Sequence, residues 1–230
     1  MNIAICDINR ESGEFILSKV KKIEPDCNVF VFAKGFEFIN CKREWDVVFL
    51  DIEMDEVDGF TIAKILKQQQ KRCIFSFVAT HSHLAIDGYD YQPFRYILKD
   101  APDEVIERKV RETINEYHFR NSRLKISYKG VQKIISVAEI SSIEIMGHCL
   151  KISCGDELVL WNKSLQDIEK ILEKYDFVRC HRSFMVSLKH IKKFASKLIE
   201  LDNGKKVPVG RSYQKKAETT YLQFLTSNQQ

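Results

Sequence analysis

VVFLDIEMDEVDG, residues 47–59, runs four apolar residues straight into Asp51 and then crowds Glu53, Asp55, Glu56 and Asp58 in front of a glycine. A short apolar run that stops at a carboxylate reads as a buried strand ending at a polar site. Carboxylates within roughly 4–6 Å raise one another's pKa, so the cluster persists only where solvent or a cation offsets it. Which of the two holds Asp51 is the question the stretch raises.

Reading outward from it, β-rich runs alternate with helical ones: NIAIC then SGEFILSKVKKI, NVFVF then FEFINCK, VVFL then FTIAKILK, CIFSFV then HLAIDGY, and RYIL then PDEVIERKVRETINEYH. Five such units predict a doubly wound, flavodoxin-like α/β domain with a five-stranded parallel sheet between helices. Phe15, Val20 and Ile23 on the first helix, and Val105, Ile106, Val110 and Ile114 on the last, are spaced for buried stripes. Pro102 suits a first helical turn. The last helix is expected to fade near His118, leaving residues 119–123, FRNSR, as a linker between domains at 1–118 and 124–230.

Beyond the linker the texture changes to short strand-like runs, LKISY, QKIISV, SSIEIM, CLKIS, ELVLW, FMVSL, IKKFA, LIELD and KKVPVG, punctuated by KG, MGH, CGD and DNG turns. One helix interrupts them, opened by Ser164 with Asp167 three residues on. The second half is therefore expected to be mostly antiparallel β.

Charge divides along the same line. Residues 1–120 hold 17 basic and 21 acidic side chains, net −4, and residues 121–230 hold 19 and 11, net +8. A basic half suits a polyanion. The N-terminus lacks a basic start and long apolar core, and no later run is apolar enough to span a bilayer, so a cytoplasmic protein without membrane contact is expected. The seven cysteines are odd in number and scattered, without a CxxC, which indicates neither a disulfide framework nor a zinc site.

In a doubly wound sheet, ligands collect at the carboxyl ends of the strands. Asp7 follows the first predicted strand, Asp51 ends the third, Thr80 follows the fourth and Lys99 the fifth. Two carboxylates, a hydroxyl and an ammonium there suit a phosphoryl group and a hard cation.

With AICD, FLDIEMDEVDG and YILK, residues 1–118 resemble the CheY-like receiver domains of bacterial response regulators. The resemblance implies that Asp51 is the phosphoacceptor for a sensor histidine kinase. It also implies that Asp7, Asp51 and the Glu53 main-chain carbonyl ligate Mg²⁺, that Lys99 pairs with the phosphoryl oxygens, and that Tyr96 reports the switch. The chain departs from the family in three places. Ile8 stands where a second acid usually ligates the metal, so Mg²⁺ is expected to bind weakly or not at all; Ala79 displaces the usual hydroxyl to Thr80; and Asp100 replaces a proline after the lysine.

KISYKGVQKIISVAEISSIEIMGHCLKI, DFVRCHRSFMVSLKHIKKF and IELDNGKKVPVGRSYQKK make the second half similar to LytTR DNA-binding domains. That resemblance implies base contacts from His148, Arg182 and Arg211 on turns, without a recognition helix. Phosphate contacts are implied for Lys163, Ser183, Lys189, Lys205, Ser212, Tyr213 and Lys215. His181 reads as a buried, hydrogen-bonded histidine, and Trp161 and Phe177 as core.

The expected function is a two-component transcription regulator that binds double-stranded DNA as a homodimer under control of Asp51 phosphorylation. The alternative is the same DNA binder working without phosphate. No enzyme is expected: Asp51-Ile52-Glu53 lacks the DxDxT arrangement of haloacid-type phosphatases, and GxSxG, HExxH and P-loop motifs are missing.

Overall fold

A computed structural model describes residues 1–69, 72–83 and 88–228. The chain divides into two compact units, Met1–His118 and Phe119–Gln230. Among the described residues no helix is long and apolar enough to cross a membrane.

The first unit contains strands β1 (Asn2–Cys6), β2 (Asn28–Phe32), β3 (Val47–Asp51), β4 (Ile74–Ala79) and β5 (Tyr96–Leu98), all parallel, in the order β2-β1-β3-β4-β5. Among the described residues the helices include α1 (Arg10–Ile23), α2 (Gly35–Asn40), α3 (Gly59–Gln69) and α4 (Asp103–Asn121), whose last residues belong to the second unit. Residues 84–87 of the helix expected over HLAIDGY lie outside the described residues. Because side chains alternate along a strand, β3 feeds two cores. Val48 and Leu50 pack with Ala4, Phe38, Trp45 and Ile62, whereas Val47 and Phe49 pack with Ile3, Ile16, Val20, Val110 and Ile114.

Two helix expectations change. The buried stripe of α1 is Gly13, Ile16 and Val20, and Phe15 is exposed. A helix rotates 100° per residue, so a stripe through Ile16 and Val20 turns Phe15 to the rim. The last helix does not fade at His118: α4 continues to Asn121, and Phe119, only 6% exposed, is buried in the core of the second unit. The stretch 119–123 is therefore helix and the start of a strand, because Phe119 gains more from burial than a solvated linker would offer.

The second unit builds a five-stranded antiparallel sheet, β10-β9-β8-β12-β11, from β8 (Ile140–Met146), β9 (Cys149–Cys154), β10 (Glu157–Trp161), β11 (Phe177–His181) and β12 (Phe184–Ser187). A hairpin of β6 (Arg123–Tyr128) and β7 (Val131–Ser136) and a meander of β13 (Ile191–Ala195), β14 (Leu198–Leu201) and β15 (Lys206–Pro208) accompany it. Helix α5 (Leu165–Leu172) is capped by Ser164, whose Oγ accepts from the Asp167 N–H at 3.1 Å. It buries Ile168 and Leu172 with Ile143, Ile152, Trp161 and Phe177. The opposite face packs Val178, Cys180 and Val186 against Ile199, Leu201, Val207 and Ala217.

A terminal helix, α6 (Gln214–Asn228), is absent from the sequence expectation. Its signal is Ala217, Tyr221 and Phe224 at helical spacing, all in that second core.

Candidate functional site

Strand order brings the ends of β1 and β3 side by side, and so brings Asp7 and Asp51 together. Both are buried, Asp51 to 1% exposure. The Lys99 ammonium, which follows β5, lies 3.0 Å from Asp7 Oδ1, 2.9 Å from Asp7 Oδ2 and 2.7 Å from Asp51 Oδ2. A cation therefore offsets Asp51, while its neighbours in sequence are dealt with separately. Asp58 caps α3 by accepting from the Thr61 N–H at 2.8 Å and Oγ1 at 3.1 Å. Asp55 and Glu56 are exposed. The Glu53 carboxylate lies 4.0 Å from His81 Nε2, and its N–H donates to Asp51 Oδ1 at 3.1 Å.

Burial pushes the Asp51 carboxyl up to about 6, against the pull of Lys99 and with a push from Asp7. Burial acts to lower Lys99, but its hydrogen bonds to Asp51 and Asp7 prevail and raise it. Gly59 matters here for space: a Cβ would stand 2.3 Å from the Asp51 carbonyl oxygen and 2.7 Å from Ile52 Cα. Only glycine lets α3 start against the end of β3.

Two of the expected pocket residues are placed differently from the carboxylates. Thr80 is exposed and makes no hydrogen bond to Asp7 or Asp51; it follows Ala79, the last residue of β4, so it has left the strand whose alternation would aim it inward. The hydroxyl that reaches the acids is that of Ser12, which donates to Asp7 Oδ2 at 2.5 Å. Tyr96 turns its hydroxyl to the His81 carbonyl at 2.8 Å, and burial with Glu53 and Asp51 nearby pushes its phenol up to about 12.

The donor set is a poor fit for Mg²⁺. A carboxylate offers about four lone-pair positions, and Asp7 uses them on the Asn9 N–H at 2.9 Å, the Ser12 hydroxyl, and Lys99 at both oxygens. Ile8 is 42% exposed and offers no oxygen. Magnesium takes six oxygens in near-ideal octahedral geometry, several of them usually water and one or two of them carboxylate; the protein oxygens that stay open here are part of Asp51 and the Glu53 carbonyl. Among the described residues no group of three or more His, Cys, Asp or Glu is placed to hold a metal.

In the second unit, antiparallel pairing decides which turns meet. Met146 pairs with Cys149, so Gly147 and His148 form the β8–β9 turn. His181 pairs with Phe184, so Arg182 and Ser183 form the β11–β12 turn. The Ile145 N–H donates to the Ser183 carbonyl at 2.9 Å, placing both turns at the same sheet end. The Gly210 N–H donates to the Cys180 carbonyl at 2.9 Å, which brings Arg211 there too. Trp161 pairs with Leu150, so Lys163 leaves β10 at that same end. His148, Lys163, Arg182 and Arg211 are all exposed.

Ser183 and Tyr213 join them half-buried, Tyr213 beneath the Arg179 guanidinium at 5.5 Å. Lys189 does not. It follows the far end of β12, where its ammonium lies 3.7 Å from the Phe119 ring centroid and 3.8 Å from Asp176 Oδ2. Lys205 is likewise committed, to Ser142, Ser153 and Glu144 at 3.1, 3.4 and 3.3 Å. His181 is half-buried, its Nδ1 accepting from the Ser183 N–H at 3.2 Å. Trp161 and Phe177 are core. Ser12 and Arg179 escape the sequence reading; for Ser12 a signal existed in its spacing three residues after the helix cap Asn9.

Comparison with known proteins follows the same division. Residues 3–111 match the response regulator receiver domain, and residues 131–221 match the LytTr DNA-binding domain. The sensory transduction protein LytT of Bacillus anthracis is 23% identical, with 90% of this chain and 92% of that protein covered. The sensory transduction protein LytR of Streptococcus mutans is 26% identical, with 94% and 97% covered. Among solved structures, a LytTr DNA-binding domain from Bacillus cereus is 28% identical, covering 44% of this chain and 96% of its own, at a TM-score of 0.40. The response regulatory domain of mrkE from Klebsiella pneumoniae is 17% identical, covering 51% and 98%, at 0.48.

Proposed function

For a chain that is a response regulator, joining a receiver domain to a LytTR DNA-binding domain, we propose that one end of the antiparallel sheet reads double-stranded DNA under control of Asp51. The observation that carries the reading is the convergence of His148, Arg182 and Arg211 on turns at one sheet end. A β element fits the major groove, where an arginine can donate two parallel hydrogen bonds to guanine O6 and N7. Arg182 and Arg211 take that role, and His148 donates to a purine N7 or to phosphate. Lys163, Ser183 and Tyr213 hold the backbone and set register. The protein binds as a homodimer on half-sites about one helical turn apart.

In the receiver, a sensor histidine kinase supplies the phosphoryl group. An Asp51 oxygen attacks phosphorus, the bond to the donor imidazole nitrogen breaks, and that nitrogen keeps the electron pair and takes a proton from solvent. Lys99 faces the added charge. Mg²⁺ binds weakly or not at all, and no step here depends on it. A second reading, DNA binding without phosphate, is favoured by the saturated Asp7 and by Ile8.

Intact mass after incubation with phosphoramidate, with and without Mg²⁺, tests the receiver chemistry when followed by a DNA titration. A single phosphoryl adduct that disappears in Asp51→Asn and tightens DNA binding is expected. No adduct, with DNA binding retained, would replace it with the second reading.

A further inference from the structure

The turn that carries Arg182 is held by a side chain the DNA reading does not use. β11 slips register between Arg179 and His181, a bulge that re-aims the side chains on either side of it. From that position the Arg179 guanidinium reaches three segments. Its Nη1 donates to Glu169 Oε2 on α5 at 3.0 Å, and its Nη2 donates to the Arg182 carbonyl at 2.9 Å. Its Nε donates to the His181 carbonyl at 3.4 Å, and its Cζ lies 5.5 Å from the Tyr213 ring centroid. Tyr213 follows Arg211 by two residues. Gly210 closes the same junction, since a Cβ there would stand 3.0 Å from His181 Cδ2 and 3.2 Å from Tyr213 Cδ2.

We propose that Arg179 is a positioning residue for sequence reading, locking the turn of Arg182 and the segment of Arg211 into one register. The inference rests on the DNA-contact reading above and adds what aims those contacts. Arg179 and Glu169 are only 21% and 18% exposed, so the pair is fixed against the fold and the guanidinium is not a free surface charge. A planar fork can pair with a carboxylate, donate to two carbonyls and cover an aromatic face at once, whereas a lysine ammonium can hold the carboxylate but not the whole set. Loose turns still meet phosphates, because that attraction follows charge. They lose the alignment that bidentate base contacts require. The loss therefore falls on discrimination and not on general affinity.

The test is a titration of wild type, Arg179→Lys, Glu169→Gln and Arg182→Ala against a duplex selected by the wild type from a random pool and against a scrambled duplex, over a range of salt. Arg179→Lys is expected to lower the selected-to-scrambled affinity ratio by tenfold or more with an unchanged salt slope, and Glu169→Gln by several-fold. Glu169→Gln gives the answer should Arg179→Lys fail to fold, as judged by circular dichroism. A ratio preserved in both while Arg182→Ala destroys it would overturn the positioning role alone. A ratio preserved in Arg182→Ala as well would overturn the DNA-contact reading and the positioning role with it.

Discussion

Asp51 is ionised against its surroundings. A carboxyl pushed from 3.8 to about 6 on folding binds a proton more tightly in the folded chain than in the unfolded one. Stability is therefore highest below the unfolded value and falls as pH rises through the window between the two, by about 3 kcal/mol in total. Asp51→Asn removes the titration and keeps the volume. We expect the variant to be more stable than wild type above pH 6, by up to about 3 kcal/mol, with the gain vanishing below the unfolded value; chemical denaturation across pH checks it. Ile8 gives a second expectation at this scale. Ile8→Asp adds the missing oxygen beside the pocket, so calorimetry should detect Mg²⁺ binding that is much weaker or undetectable in wild type. Asp7, Asp51 and Lys99 were legible in the sequence because each stands next to an apolar run. Ser12 was legible only as a neighbour of the helix cap Asn9; that its hydroxyl reaches Asp7 depends on how α1 turns over β1. The aim of Thr80 was not legible either, since it depends on β4 stopping at Ala79.

Among the elements, strands were read more faithfully than helix ends. The MGH turn between two strand-like runs leaves little choice over where β8 ends and β9 begins, and hence over where the turn of His148 falls. The end of α4 depended on a partner distant in sequence: Phe119 stays helical because its ring is buried with Ile126, Val137 and Tyr175. Removing such a ring costs about 3–5 kcal/mol. A piece of the chain starting at residue 119 should therefore unfold at higher denaturant than one starting at 124, which also loses the 2.7 Å hydrogen bond from Ser122 to the Tyr175 hydroxyl. Lys189 belongs to the same scale. Its charge suggested phosphate, but the four-residue length of β12 places it at the opposite end of the sheet from Arg182. Lys189→Ala should lower stability and leave the salt slope of DNA binding as it was.

For the whole chain, the split of −4 and +8 between its halves predicts where a polyanion binds before any fold is known. DNA affinity should fall steeply with salt, log K dropping about 0.9 for each neutralised phosphate per tenfold rise. Charge alone does not single out a face of the basic half; strand pairing and the Gly210–Cys180 hydrogen bond gather three turns at one sheet end, the face that the proposed contacts use. On the proposed reading, Arg182 contacts a base there. The most direct measurement is the affinity of Arg182→Ala for the pool-selected duplex beside its affinity for a scrambled one of equal length. A loss of roughly 10- to 100-fold is expected on the selected duplex, the size of one bidentate contact, with little change on the scrambled one. Equal losses on both, or none on either, would contradict it.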